Sequence, residues 1–286
     1  MPAPSSHRPA LAAAVAAALA AGFGLSAAAQ VAPAPVVVDL ATRPGVTQRY
    51  LALPPAGPAK AAVILFAGGQ GVLDIPDGAD GPRGLQGNFL VRTRALFRDH
   101  GLFVAVIDAP SDQKGSGGLG AFRIAADHAT DIAAVIADVR KRSPGVPVWL
   151  VGTSRGTISA ANGASRLQPP LGPDGLVLTS TLTAKAPGKN PRPGVVETVY
   201  DLDIDAIRVP TLLVYHRDDA CFRTPPADVP ALRRKLSGAP RTEAIEIEGG
   251  LPPRSEACEA MAAHGFLGRE AETVAAIAAW ITGGKS

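Results

Sequence analysis

Short apolar segments without alternating polar residues recur along the chain and predict buried strands. These segments are 61–66 (AAVILF), 102–107 (LFVAVI), 148–151 (VWLV), 176–178 (LVL) and 211–215 (TLLVY). Uninterrupted apolar runs of this length are typical of strands that are covered on both faces of a parallel sheet. Two further segments upstream, 36–40 and 49–53, are predicted to form an antiparallel pair before the parallel strands begin.

Segments with helical periodicity separate these strands. In 123–142 the apolar residues Ile132, Val135, Ile136 and Val139 share one arc, and acidic residues fall to one side. A second apolar stripe near the C-terminus predicts a closing helix; its members are Leu267, Val274, Ile277, Ala278 and Ile281. Strands that alternate with helices predict an α/β fold, a mostly parallel sheet with helices on both faces. Residues 30–286 are predicted to form a single domain.

The N-terminus has the pattern of a secretory signal peptide over residues 1–29. Arg8 precedes an apolar run at 10–25, and Ala27 and Ala29 provide the small residues of a cleavage site. This run is shorter than the roughly 20 residues that span a bilayer. We therefore expect a secreted or periplasmic protein with no stable membrane insertion after the signal is cleaved.

Charge and cysteine content narrow the class further. The net charge is +3, from 28 basic and 25 acidic residues, which gives no indication of a nucleic-acid partner. The chain has two cysteines, Cys221 and Cys258. In an oxidising compartment such a pair favours one disulfide over two free thiols.

The segment GTSRG at 152–156 carries the first sign of chemistry. It lies where a predicted strand ends and a helix rich in small residues begins, so Ser154 has a glycine two residues away on each side. This pattern predicts a nucleophile elbow, a sharp strand–turn–helix connection that exposes a reactive serine. The N–H of Arg155, at the positive end of the helix, would then stabilise an oxyanion. The alternative is a tight turn with a serine that caps the helix.

A reactive serine needs a base and an acid. Asp218 and Asp219 directly follow the last predicted strand, at the edge where open α/β sheets bind ligands. A second candidate group is Asp201, Asp203 and Asp205, whose alternation with apolar residues is more simply the polar face of an extended segment. These three lack the glycine and glutamate of a calcium loop, so no metal site is predicted.

Five histidines are candidates for the base, and His264, in a loop before the closing helix, is favoured. His7 leaves with the signal peptide, and His100 ends a predicted helix. His128 lies in the apolar arc of segment 123–142 and is predicted to be a hydrogen-bonded core residue. His216 ends a strand and is expected to shape the acid loop.

In three motifs the chain from about residue 61 to 281 resembles an α/β-hydrolase, specifically a compact exported serine esterase or lipase. The motifs are VGTSRG at 151–156, LLVYHRDDAC at 212–221 and AHGF at 263–266. The resemblance implies a Ser154–His264–Asp219 triad, hydrolysis through an acyl-enzyme and no cofactor. Asp219 is favoured over Asp218 because the family often carries its acid three or four residues after a position corresponding to His216.

Two further expectations depend on this resemblance. The segment FAGGQG at 66–71 stands where the family often has a His-Gly motif, and Ala67 departs from that histidine. Gly69 or Gln70 would then provide the second oxyanion donor. A disulfide between Cys221 and Cys258 would tie the acid-bearing loop to the base-bearing loop.

The connection between segments 176–178 and 211–215 is only about 30 residues long, at the place where relatives insert helical caps. We therefore expect no large cap domain and a shallow site under loops such as 109–122. Such a site suits a small-molecule ester or an ester at a polymer end. A peptidase or acyltransferase with the same triad, or a non-catalytic binding module on the hydrolase fold, are the alternatives.

Overall fold

The computed structural model describes residues 1–3, 31–78, 81–185 and 198–283. The chain divides into two units, residues 1–30 and Val31–Ser286, and all the helices and strands given below belong to the second. The predicted signal peptide, apart from residues 1–3, lies outside the described residues and stays a prediction. Within the described ranges, every helix is too short or too polar to cross a bilayer.

An eight-stranded sheet forms the centre of the second unit, with strand order β1-β2-β4-β3-β5-β6-β7-β8. The strands are β1 (Val36–Arg43), β2 (Val46–Leu53), β3 (Ala61–Phe66), β4 (Leu102–Ile107), β5 (Val148–Thr153), β6 (Gly175–Thr179), β7 (Thr211–His216) and β8 (Thr242–Ile247). β1 pairs with β2 and β2 with β4 in antiparallel register, whereas all other pairs are parallel. The predicted mostly parallel sheet and its antiparallel N-terminal pair are confirmed.

β8 has no counterpart among the predicted strands. In its sequence TEAIEI two glutamates interrupt the apolar residues, and most of its side chains remain partly or fully exposed at the edge of the sheet. An edge strand needs an apolar residue only at every second position. A search for uninterrupted apolar runs therefore misses it.

Helices cover both faces of the sheet, as predicted. They are α1 (Phe89–Arg92), α2 (Arg94–Asp99), α3 (Ala126–Arg142), α4 (Gly156–Arg166), α5 (Val229–Lys235) and α6 (Glu270–Ile281). On one face, the apolar arc of α3 and the alanines of α4 pack against β3, β4 and β5. On the other face, α1, α2 and α6 bury their apolar side chains against the same strands.

Two predicted helices begin later than their periodicity suggested. The segment 120–124 forms a separate 3₁₀ turn that buries Arg123, and α3 begins only at Ala126. Leu267 packs into the core ahead of α6, which begins at Glu270. Arg123 and Leu267 are buried in the segments before these helices. Their spacing from the helical core residues fits a helical period, although neither belongs to the helix.

The connection from β6 to β7 contributes no cap domain in its described parts, 180–185 and 198–210, which contain only two 3₁₀ turns. Asp201, Asp203 and Asp205 are exposed here, while Leu202 and Ile204 are buried. The predicted polar face is therefore present. The predicted extended backbone is wrong, because residues 199–201 and 204–206 are 3₁₀ turns.

Candidate active site

Ser154 lies at a sharp turn between β5 and α4. Its backbone is left-handed, with φ of 52°, a conformation that is costly for a residue with a side chain. A Cβ atom on Gly152 would lie 2.5 Å from the carbonyl oxygen of Gly156, and one on Gly156 would overlap the carbonyl oxygen of Phe66. Both glycines of GTSRG are therefore required by close backbone contacts. The contacts of Ser154 with α4 run through its backbone carbonyl, which accepts hydrogen bonds from Thr157.

Asp219 and His264 are in direct contact, although 45 residues separate them along the chain. The Nδ1 atom of His264 lies 3.0 Å from Oδ2 of Asp219, and the two side chains are only 5% and 2% exposed. The other carboxylate oxygen, Oδ1, accepts the N–H of Cys221 at 2.9 Å. This carboxylate is thus buried, hydrogen-bonded and directed at the imidazole.

Thr224 completes this contact and was not foreseen from the sequence. Its hydroxyl donates to Oδ2 of Asp219 at 2.8 Å and lies 3.1 Å from Nδ1 of His264. Thr224 is itself buried. It follows Asp219 by five residues in a loop without periodicity, so no sequence signal distinguishes it from the neighbouring polar residues.

The other acidic candidates lie away from His264. Asp218 is exposed, and its N–H donates to Nδ1 of His216 at 3.0 Å. The Nε2 atom of His216 lies 2.8 Å from the carbonyl oxygen of Gly249. His216 therefore shapes the acid loop, as expected, and its ring directs the backbone so that Asp219 faces inward.

His264 lies in a 3₁₀ turn, 263–265, before α6. The hydroxyl of Ser180 holds this turn by donating to the carbonyl oxygen of His264 at 2.8 Å. Since Nδ1 faces Asp219, the second ring nitrogen, Nε2, is the one available to a substrate or nucleophile. Among the described residues Nε2 is buried and has no hydrogen-bond partner.

Ser154 and His264 line one cavity of about 410 Å³ at the carboxyl edge of the sheet. Leu85, Phe89 and Met261 give it apolar walls, and Asn88, Ser255 and Glu259 add polar groups. Its lining includes one carboxylate and, among the described residues, no lysine or arginine. The cavity therefore suits a neutral, partly apolar molecule better than an anion.

The glycine-rich loop after β3 lies directly against Ser154. A Cβ atom on Gly68 would lie 2.9 Å from that of Ser154, and Gly69 lines the cavity. Gly69 and Gln70 are both exposed, and the carbonyl of Gln70 accepts the N–H of Leu119 at 2.9 Å. The loop thus has the location that an oxyanion-binding segment requires, opposite the N-terminus of α4.

The first comparison with known proteins is by sequence, and no family model and no curated protein matches the chain. Solved structures do match in fold. Est1E from Butyrivibrio proteoclasticus aligns with 13% identity and a TM-score of 0.57, over 86% of this chain and 97% of its own. The esterase Pf2001 from Pyrococcus furiosus has 15% identity and a TM-score of 0.56, with 86% and 91% covered.

A third match bears on the cap. XC6422 from Xanthomonas campestris, described as an α/β serine hydrolase without a lid, aligns with 17% identity and a TM-score of 0.52, over 85% of this chain and 94% of its own. The chain has the α/β-hydrolase fold. The fold expected from the motifs is thereby confirmed, including the lack of a large cap in the described residues.

In this α/β-hydrolase fold, the disulfide joins the two loops that the sequence suggested. Cys221 and Cys258 are bonded, with an S–S distance of 2.08 Å. Cys221 donates its N–H to Asp219, whereas Cys258 lines the cavity beside Ser154. The predicted disulfide is confirmed, and it connects the environment of the acid to the wall of the cavity.

Besides the disulfide, Arg92 also holds the cavity wall together, and no sequence pattern indicated this role. Its guanidinium donates to the carbonyl oxygens of Gly87 and Gly265, each at 2.5 Å, and pairs with Glu270 at 2.9 Å. Gly87 and Gly265 both line the cavity. Arg92 therefore links Gly265, the residue that follows His264, to Gly87 on another part of the cavity wall.

His128 corrects one expectation. It is buried in α3, as predicted, but neither ring nitrogen has a hydrogen-bond partner among the described residues. Burial, together with the charges of Arg123 and Arg43, lowers the pKa of His128 to about 3. The ring packs beside Phe122, with centroids 5.3 Å apart, and behaves as a neutral core aromatic.

No described group of three or more histidine, cysteine, aspartate or glutamate side chains is arranged to hold a metal ion.

Proposed function

We propose that this protein is a serine hydrolase that cleaves carboxylic esters through an acyl-enzyme, with Ser154 as nucleophile, His264 as base and Asp219 as acid. The observation that carries the proposal is the contact of His264 with the buried Asp219 through Nδ1. This contact leaves Nε2 without a hydrogen-bond partner among the described residues, in a side chain that shares its cavity with Ser154. A buried carboxylate in this position holds the imidazole in one tautomer and stabilises its protonated form.

The reaction follows in two halves. The Ser154 oxygen attacks the ester carbonyl while Nε2 of His264 takes the hydroxyl proton. The imidazolium, stabilised by Asp219, then gives this proton to the departing alcohol, and an acyl-serine remains. In the second half water attacks the acyl group, again with His264 as base, and the acid and free Ser154 are released.

The negative oxygen of each tetrahedral intermediate needs two donors. The N–H of Arg155, at the N-terminus of α4, supplies one, where the helix dipole adds to its effect. Gly69 or Gln70 supplies the other, from the loop that packs against Ser154. Fixed donors of this kind lower the barrier because they need no reorganisation during the reaction.

The substrate is a neutral small-molecule ester or an ester at the end of a polymer. Support comes from the apolar walls at Leu85, Phe89 and Met261 and from the carboxylate of Glu259 at the exposed edge of the lining. Pf2001 from Pyrococcus furiosus, which matches in fold, is an esterase, and this agrees with the proposal. We further propose export, with the mature chain beginning at Gln30.

A fluorophosphonate probe tests the nucleophile. Wild-type protein is expected to be labelled, and Ser154→Ala is expected to abolish labelling. Ser165→Ala is the matched control, since Ser165 lies on the same helix and, within the described part of the chain, its hydroxyl hydrogen-bonds only the carbonyl oxygen of Asn162. Failure of the folded wild type to react would refute the enzyme and favour a binding module.

Substrate assays then separate ester hydrolysis from the related activities of the same triad. We expect turnover of nitrophenyl esters of short acyl groups and none of peptide anilides. Faster turnover of anilides would indicate a peptidase, and transfer of the acyl group to added alcohols in preference to water would indicate an acyltransferase. Edman sequencing of the exported protein locates the N-terminus.

A further inference from the structure

A buried arginine lies directly beneath the glycine-rich loop that packs on Ser154. Arg123 is 2% exposed and belongs to the 3₁₀ turn before α3. Its Nη1 atom donates to the hydroxyl of Ser159 at 2.7 Å, and Nη2 faces the carbonyl oxygens of Ala67 at 3.2 Å and Gly69 at 3.3 Å. No carboxylate of the described residues lies within salt-bridge distance of it.

This arrangement lowers the stability of the folded protein. A buried cation without a counter-charge loses its hydration, and the Nε atom of Arg123 has no hydrogen-bond partner within the described chain. Burial and the charge of Arg155 lower the pKa of Arg123 to about 9, so it remains protonated at neutral pH. An apolar side chain of similar size would fill the same space at lower cost. Its contacts with the loop therefore point to a functional reason for its presence.

The loop itself needs an anchor. Gly68, Gly69 and Gly71 give segment 67–71 more backbone freedom than other residues would, whereas an oxyanion donor must be held rigid. The segment 116–123 supplies the anchors, because Leu119 binds the carbonyl of Gln70 and Arg123 binds those of Ala67 and Gly69. Gly71 leaves the space for this contact, since a Cβ atom there would lie 2.7 Å from Nη2 of Arg123.

We propose that Arg123 is a positioning residue for the second oxyanion donor. Its two carbonyl contacts fix the Ala67–Gly68 and Gly69–Gln70 peptides. The second contact sets the direction of the N–H of Gln70, and the two together hold the intervening Gly68–Gly69 peptide, which carries the N–H of Gly69. A charge-assisted hydrogen bond to the Gly69 carbonyl also polarises the Gly69–Gln70 peptide and makes its N–H a stronger donor. This inference depends on the proposed function, because an oxyanion forms only if Ser154 attacks a carbonyl.

Arg123→Met in the full chain tests the role, with Arg166→Met as the matched control. Arg166 also links α4 to the 120–124 turn, through Asn162 and the carbonyl of Ile124, but among the described residues it makes no hydrogen bond with the glycine-rich loop. For a nitrophenyl ester we expect Arg123→Met to lower kcat about 100-fold, the effect of losing one oxyanion donor, with KM changed less than about threefold. Arg166→Met is expected to retain wild-type kcat and KM.

A second measurement separates positioning from a general structural role. A boronic acid forms a tetrahedral adduct with the serine and uses the oxyanion donors, whereas the alcohol product does not. We expect the affinity of Arg123→Met for the boronic acid to fall in parallel with kcat, and its affinity for the alcohol to stay constant. Equal loss of both affinities would overturn the proposal.

Ser159→Ala keeps the test decisive if Arg123→Met does not fold. This variant removes only the hydroxyl that accepts from Nη1 and leaves both contacts of Arg123 with the loop in place, so we expect a folded protein with kcat lowered about three- to tenfold, less than in Arg123→Met. Unchanged kcat in a folded Arg123→Met, or in Ser159→Ala where Arg123→Met is unfolded, overturns the inference. Failure of the proposed function is distinct, because wild-type protein would then not react with a fluorophosphonate at all.

Discussion

Replacing His128 by leucine is expected to make the protein more resistant to acid. In the folded state burial, together with Arg123 and Arg43, lowers the pKa of His128 to about 3, whereas the unfolded chain has an ordinary histidine pKa of about 6.5. Between these two values the unfolded chain binds a proton that the folded protein does not. The free energy of unfolding of the wild type therefore falls as the pH is lowered from about 6.5 towards 3.

The size of the effect follows from the linkage relation. Each pH unit inside this window costs about 1.4 kcal/mol for one proton, so the loss at pH 4.5 is about 3 kcal/mol. The leucine variant lacks this contribution. At pH 7.5 it should be at least as stable as the wild type, because apolar atoms replace two buried ring nitrogens that have no hydrogen-bond partner in the described part of the chain.

Urea unfolding at pH 7.5 and 4.5, followed by the fluorescence of Trp149 and Trp280, measures both values. His100→Gln is the control, since His100 is exposed at the end of α2 and its replacement should leave the pH dependence of the wild type unchanged. The loss of unfolding free energy between pH 7.5 and pH 4.5 should be smaller in His128→Leu than in the wild type by about 3 kcal/mol. Equal losses in the wild type and His128→Leu would show that His128 takes up a proton in the folded state.

Three further predictions concern the site. Thr224→Val removes the hydroxyl that contacts Asp219 and His264 and should lower kcat/KM about tenfold or more, whereas Thr224→Ser should retain most of the activity. Equal kcat/KM values for the two variants in steady-state assays would contradict this role. Glu259→Lys should lower KM for the anionic hemisuccinate ester several-fold relative to KM for a neutral ester, and Glu259→Gln should lower it less. If the ratio of the two KM values stays that of the wild type, the substrate binds away from Glu259. The double variant Cys221→Ser with Cys258→Ser should lose about 4 kcal/mol of unfolding free energy, as expected for a loop closed over 37 residues, and calorimetry with an unchanged Tm would argue against it.

Local sequence patterns were sufficient to predict the buried central strands and the turn at Ser154. Strands buried on both faces, such as β3 and β4, are recognisable because every side chain must be apolar. The turn at Ser154 is recognisable because backbone contacts on both sides leave room only for Gly152 and Gly156. In each case the constraint restricts the residue types at a few consecutive positions, so it is visible in the sequence even where, as at Gly156, the contact is with the distant carbonyl of Phe66.

Which carboxylate contacts His264, and what supports it, was decided by tertiary structure. Asp218 and Asp219 are adjacent and chemically alike, and only the rotation of the loop after β7, held by His216, turns Asp219 towards His264 and leaves Asp218 in solvent. Thr224 joins them from a position that has meaning only once the loop is folded.

The same division holds for the charges under and behind the site. Arg123 falls within a helical period in the sequence, but α3 begins only at Ala126, and the 3₁₀ turn before it buries the guanidinium under the loop at 67–71. Arg92 contacts residues that follow it by more than 160 positions. The sequence by itself determined the strands other than β8, the sharp turn at Ser154 and the order of the candidate residues, since these leave a pattern of residue types at consecutive positions. Which polar groups meet was decided only by packing, because a hydrogen bond depends on atoms that distant segments bring within 3 Å of one another.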